Sequence, residues 1–360
     1  MKVGILTFHR AQNYGAVLQC YALQEILRGL GHDVSVIDYR QPWIEEFYKV
    51  FSPSMMRLNS GSLAGLSAFL RNRLKKFVVS PLKASHFRSF RNDFLRLSSS
   101  CGKDDIPQDY DVYVIGSDQL WSLHCLGGNL DPVYLGDFRR AGRSKLIGYA
   151  VSADMHSVDS SSGMIASHAP LFDALSMREK AVADKVTEIS GKHCDVCLDP
   201  TLLADVSLWD PVIDDRWKGR DYVLVYEVRW NEETRGLLKK KAEELARHIG
   251  KKCEVIDLSS MKYTVSDFVS LFKYAKYVMT TSFHGVVFSL KFGTPFYVMP
   301  LWGGYDLRYM ELLTSVGAED RVISSDSALE PLPMDFSALH ERLQHRCEAS
   351  LAYLAENIVQ

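Results

Sequence analysis

Two series of short apolar runs, each alternating with helix-length amphipathic stretches, constrain this chain more than any other feature. In the first, KVGILTF (2–8) suits a buried strand and AVLQCYALQEILRGLG (16–31) follows with helical spacing. Leu18, Tyr21, Ala22, Ile26 and Leu27 share one face of that helix, and Gly29 and Gly31 end it. DVSVIDY (33–39) is the next strand. A strand, a helix and a second strand joined by short links form a right-handed crossover in a parallel sheet. DVYVIGSD, SKLIGYAV, ALSMRE and HCDVCLDP carry the series to about residue 200. The second series begins at DYVLVYEV (221–228) and alternates through a charged helix (232–250), KCEVIDL, VSDFVSLFKYA, YVMTT, GVVFSLKFG and PFYVMP. Strands alternating with helices mean α/β, and 360 residues exceed one ordinary core. The expected architecture is two Rossmann-like domains facing a cleft. The first covers 1–204 and the second 205–335, with 336–360 a helix packing across both.

One region fits neither sheet. Between Arg57 and Arg96 the basic residues are Arg57, Arg71, Arg73, Lys75, Lys76, Lys83, Arg88, Arg91 and Arg96, against the single acid Asp93. With Leu66, Phe69, Leu70, Leu74, Phe77 and Val78 it reads as a basic helical insertion in the first domain, over about 52–98. Such an element suits either a solvated hairpin covering the first sheet or peripheral contact with an anionic membrane. Over the whole chain 42 Lys and Arg balance 44 Asp and Glu, a net charge of −2, which excludes a field for wrapping nucleic acid. Anions must be held by locally placed groups. Seven scattered cysteines argue against a disulfide framework. The one CxxC, Cys194 and Cys197 beside His193, has no second pair, so buried thiols are expected there and no metal. MKVGILTFHR continues directly into patterned sequence, so it is not read as a signal peptide, and no uncharged apolar run is long enough to span a bilayer. The expected location is the cytoplasm, with the basic insertion the means of any attachment to the inner face of the membrane.

Polar residues gather where strands give way to helices. In FHRAQNYGAVLQ, Asn13 and Gly15 stand at such a junction; the turn is either an anion cradle or a plain structural one. In VIGSDQLWS the strand is expected to end at Gly116, leaving Ser117, Asp118 and Gln119 at the sheet edge. Asp118 either accepts a hydroxyl proton or caps a following helix. In LSMREKA, Arg178 is suited to gripping phosphate or carboxylate, or to a surface ion pair with Glu179. In TTSFHGVVF, residues Ser282, Phe283, His284 and Gly285 are expected to form a loop, with Gly285 open to a ligand. A histidine there is either a packed ring or a proton carrier facing the cleft. Arg308, between a glycine-rich loop and an apolar helix, is a further anion contact. No GxxxxGK[ST] or full GxGxxG occurs, which disfavours nucleoside triphosphatases and dinucleotide enzymes.

The order of NYGAVLQCYALQ, VIGSDQLW, LSMREK, LDPTLL, the stretch from SDFVSLF to FGTPF, and LRYMELLTSVGAEDR resembles that of the polysaccharide pyruvyl transferase family, from residue 3 to about residue 322. The resemblance implies a glycosyltransferase-B-like fold and transfer of pyruvate from phosphoenolpyruvate onto two hydroxyls of one sugar, as a cyclic ketal, with release of phosphate. The acceptor it implies is a sugar of a bacterial-type surface polysaccharide or its lipid-linked oligosaccharide precursor; no cofactor and no metal are needed. It assigns His284 as the acid/base and Arg178 as a phosphoenolpyruvate contact, joined by Gly285. Where some members carry an arginine two residues before the histidine, this chain has Ser282, and Arg308 is the substitute. Asp118 is then a hydroxyl activator, and Asn13, Tyr14, Gly15, Gln19, Ser117 and Gln119 line the acceptor side. Two other readings fit the same cleft: a nucleotide-sugar glycosyltransferase, and a glycan-binding protein without catalysis.

Overall fold

The structure, a computed structural model, describes residues 1–48, 81–228, 236–259, 262–300 and 307–359. The proposed amphipathic stretch from Leu66 to Val78 lies outside the described residues, as does most of the 52–98 insertion. Within that insertion, 81–94 is helical.

The first sheet contains β1 (Lys2–Leu6), β2 (Asp33–Val36), β3 (Val112–Asp118), β4 (Lys145–Val151), β5 (Ala174–Met177) and β6 (Asp195–Val196), in the order β2-β1-β3-β4-β5-β6. Every pairing is parallel. Its helices are α1 (Tyr14–Gly29), α2 (Pro42–Tyr48), α3 (81–94), α4 (Met155–Ser160), α5 (Ser162–His168), α6 (Lys180–Ser190) and α7 (Pro200–Leu203). The second sheet contains β7 (Tyr222–Tyr226), β8 (Glu254–Asp257), β9 (Tyr277–Thr280) and β10 (Phe296–Val298), in the order β10-β9-β7-β8, again parallel. Around it stand α8 (Leu237–Ile249), α9 (Val265–Tyr274), α10 (Phe283–Phe292) and α11 (Leu307–Val316), and α12 (Phe336–Asn357) closes the chain. The protein is therefore α/β, with two parallel sheets in two domains.

Both sheets reverse their winding once. β1 leads to β2 on one side while β3 lies on its other side; β7 is likewise flanked by β8 and β9. At such a point the crossovers leave in opposite directions and open a crevice beyond the carboxyl ends of the strands. Those ends are Leu6 and Asp118 in the first sheet, and Tyr226 and Thr280 in the second.

The halves share one apolar layer. The α1 helix starts with Asn13, whose side-chain oxygen accepts from Ala16 N at 3.4 Å. Sequence spacing gave this helix one apolar face, but it is buried on nearly all sides, because the second half covers what the first sheet does not. Tyr14 stacks on Phe268 of α9 at 4.7 Å and donates its hydroxyl to the Tyr263 carbonyl at 2.8 Å. Trp209 meets Phe288 of α10 at 5.0 Å. Burying aromatic rings of this size contributes about 1.5–3 kcal/mol each. Lengthwise, α12 touches both halves: Tyr353 donates to Gly148 O of β4 at 2.9 Å, and His340 Nε2 lies 2.7 Å from Leu290 O of α10. Cys194 and Cys197 flank β6 as buried thiols, pushed up by burial to about 11 and about 12. Among the described residues no His, Cys, Asp and Glu cluster suits a metal, and no helix is long and apolar enough to cross a membrane.

Candidate active site

The two crevices open into one cavity of about 480 Å³, and all four strand exits reach it through Phe8, Asp118, Tyr226 and Thr281. Of the residues singled out in the sequence, His284, Ser282, Arg308, Asp118, Asn13 and Gln119 line this cavity.

His284 arrives there differently from expectation. The α10 helix begins at Phe283, so His284 and Gly285 lie in its first turn and Ser282 is its N-cap, without a side-chain cap bond. A helix start here needs no glycine hinge. Gly285 faces the strand: a Cβ on it would lie 2.1 Å from Thr280 Oγ1, so glycine is required for packing, not for ligand approach. Thr280 Oγ1 in turn donates to Tyr226 O at 2.8 Å and accepts from Ser282 N at 3.0 Å, which fixes the turn that aims His284. Gly15 lies against the imidazole itself: a Cβ there would stand 2.1 Å from His284 Nδ1. The start of α1 thus seats the histidine of the other half.

Behind the ring is a buried charged group. Asp199 Oδ2 lies 3.6 Å from His284 Nε2 and 2.6 Å from Arg178 Nη2, an ion pair in which Asp199 is fully buried. Its other oxygen, Oδ1, accepts from Thr201 N at 2.9 Å and Thr201 Oγ1 at 2.5 Å, because Asp199 caps α7. Burial opposes the charge on Asp199, but the Arg178 guanidinium, followed by His284, holds its carboxyl well below the usual carboxylate range. Arg178 also donates from Nη2 to Ser117 Oγ at 2.6 Å, and its guanidinium lies 5.0 Å from the Phe283 ring centroid. Its Nε and Nη1 are buried without hydrogen-bond partners, as is His284 Nε2. Arg178 is therefore neither a surface ion pair nor a cavity-lining clamp. Next to it, burial pushes the Glu179 carboxyl up, against the pull of Arg178; Ser152 donates to it at 2.7 Å.

The first sheet supplies Asp118. β3 runs on past Gly116 to Asp118, and no helix follows directly, so the capping alternative falls away: Asp118 Oδ1 accepts from Gln119 N at 2.8 Å. Gly116 has φ +136°, and a Cβ there would meet Tyr149 O at 1.9 Å, so only glycine passes. Ser117 and Gln19 do not reach the cavity. Ser117 donates to Ala150 O at 2.9 Å, and its amide donates to Gln19 Oε1 at 3.1 Å, while Gln19 Nε2 donates to Thr7 Oγ1 at 2.8 Å. With Tyr14 bonded to Tyr263, these three brace the site from within. Sequence reasoning missed Asp199, although an aspartate before proline in LDPTLL is a helix-start signal. It also missed the cavity's aromatic wall of Trp43, Phe47 and Tyr48.

A family model described as polysaccharide pyruvyl transferase matches residues 13–301. Among curated proteins none matches. Among solved structures, a Staphylococcus aureus MnaA–UDP structure is 9% identical with TM-score 0.45, covering 99% of this chain and 91% of that one. A UDP-GlcNAc 2-epimerase from Neisseria meningitidis bound to UDP-GlcNAc is 10% identical with TM-score 0.43, covering 100% and 95%. The glycosyltransferase SsfS6 of Streptomyces sp. SF2575 is 12% identical with TM-score 0.35, covering 99% and 95%.

Proposed function

Because the chain belongs to the polysaccharide pyruvyl transferase family, a family of transferases, we propose that it moves pyruvate from phosphoenolpyruvate onto two hydroxyls of one sugar, in a surface polysaccharide or its lipid-linked precursor. The observation that carries this reading is His284, set in the cavity wall at the junction of both crevices, with the Asp199–Arg178 pair behind it.

Phosphoenolpyruvate is an enol ester, and its carbon 3 must gain a proton before carbon 2 becomes electrophilic. An imidazole, whose charge changes near neutral pH, is suited to giving that proton. Asp199 supplies the counter-charge behind the ring, and a shift well under ~1 Å closes the 3.6 Å gap to a hydrogen bond. A sugar hydroxyl then adds to carbon 2, the C–O bond to phosphate breaks, and the neighbouring hydroxyl closes the ketal. Of the two hydroxyl protons lost, one is accounted for by the new methyl group and the other leaves with phosphate. Asp118 takes a hydroxyl proton; Arg308 and the first-turn amides of α10 hold the carboxylate and phosphate of the donor. Arg178 acts through Asp199, setting the charge behind His284. No cofactor enters this scheme.

The test is to incubate the protein with phosphoenolpyruvate and a panel of free and lipid-linked sugars, reading released phosphate and the mass gained by the sugar. One phosphate per ketal is expected. Sugar transfer from a nucleotide sugar, or neither product from any acceptor, would replace this reading with one of its rivals.

A further inference from the structure

Of the residues expected on the acceptor side, Tyr14, Gln19 and Ser117 are occupied inside the protein, while Asn13 and Gln119 line the cavity. The cavity wall contributed by the first half also carries Trp43 and Phe47 of α2, 42% and 53% exposed. Among the described residues they are the only tryptophan and phenylalanine side chains so exposed. Standing four apart on one short helix, they face the same way, with ring centroids 6.1 Å apart and planes inclined by 33°. The rest of the helix is tied down. Gln41 Oε1 accepts from Ile44 N at 2.7 Å, and Glu45 takes Arg10 Nε at 2.5 Å on one oxygen and Arg40 Nη1 at 3.2 Å on the other. Beneath the indole, Gly127 has φ +72°, and a Cβ there would stand 2.4 Å from Trp43 Cδ2. Two rigid, wet aromatic faces are thus held in the same cavity as His284 and Asp118.

We propose that Trp43 and Phe47 form a stacking shelf for a pyranose ring of the acceptor glycan. A pyranose shows an apolar C–H face and a hydroxyl rim. An aromatic plane covers the first while leaving the rim to polar groups, here those contributed by Asp118, Ser282 and His284. An aromatic surface with a few convergent polar groups is the usual lining of a small-molecule site. The transferase reading supplies only the identity of the ring as an acceptor; the shelf itself stands on exposure, spacing and packing.

The experiment uses saturation-transfer NMR on the full chain with methyl β-D-glucopyranoside, methyl β-D-galactopyranoside, octyl β-D-glucopyranoside and uridine monophosphate. The wild type should transfer magnetisation to ring C–H protons of at least one methyl pyranoside. In Trp43→Ala and Phe47→Ala binding of that pyranoside should weaken by roughly tenfold, with Trp43→Phe restoring most of it and the thermal midpoint unchanged. Four results overturn the shelf: no pyranoside signal in the wild type, an unchanged signal in both alanine variants, transfer to the octyl chain alone, or transfer to the uracil ring alone. This assay needs no turnover, so a protein that binds pyranosides at Trp43 yet releases no phosphate defeats the transferase reading and leaves the shelf standing.

Discussion

Replacing Gly15 by alanine puts a methyl group where the His284 ring now lies. The new Cβ would stand 2.1 Å from Nδ1, 2.4 Å from Cε1 and 2.5 Å from Cγ, all atoms of one buried imidazole. Ordinary contact begins near 3.4 Å, so ring or helix must give by about 1.3 Å. Overpacking of this kind costs about 1–3 kcal/mol. A displacement of about 1 Å at a reacting group costs roughly 100-fold in rate. Phosphate release and urea unfolding measured side by side should therefore show a rate loss far larger than the stability loss explains. Gly29→Ala, at a position with nothing within 4 Å, is the control and should leave both unchanged or gain a few tenths of a kcal/mol. Wild-type turnover by Gly15→Ala would mean that the start of α1 does not seat the histidine.

Three further outcomes follow from the buried pair and the cavity wall. Arg178→Ala leaves Asp199 buried without its guanidinium, so urea denaturation should show a loss of about 3–5 kcal/mol, making the variant unsuitable as a purely catalytic knockout. The Asp199 carboxyl is held well below its ordinary value of 3.8, so its contribution to stability is complete above that pH and is lost progressively as pH falls from there toward the lowered value of the folded state. Thermal midpoints between about pH 7 and pH 3 should accordingly fall less steeply in Asp199→Asn than in the wild type. Arg308→Ala should raise the KM for phosphoenolpyruvate by roughly 10- to 100-fold, the worth of one charged hydrogen bond, with smaller effect on the acceptor; an unchanged KM would remove Arg308 from the donor site.

Much of this arrangement was legible in the sequence. Strand runs such as VYVIG and YVMT announce themselves by composition, and polar residues just past them belong at a sheet edge, which is how Asp118, Ser282 and His284 could be found. The exact turn was not legible, since nothing in SFHG marks Phe283 as the first helical residue. Gln19 misled because one apolar face was expected of its helix, and Ser117 because the strand was expected to end at Gly116, whereas β3 runs on to Asp118 and keeps Ser117 inside. Here α1 is sandwiched, and its glutamine bonds to Thr7 and Ser117 inside. Asp199 meets Arg178 and His284 across both halves, and no periodicity reports a contact made only by folding. Trp43 and Phe47 look like core residues on spacing alone; only their exposure sets them apart.

The imidazole of His284 carries the proposed chemistry, and a side-by-side assay of wild type and His284→Gln tests it most directly. With phosphoenolpyruvate and a competent acceptor, the wild type should release one phosphate per ketal. The variant should lose about 10²- to 10⁴-fold in that rate while unfolding at the same urea concentration and still binding phosphoenolpyruvate. Turnover within tenfold of wild type would contradict the account.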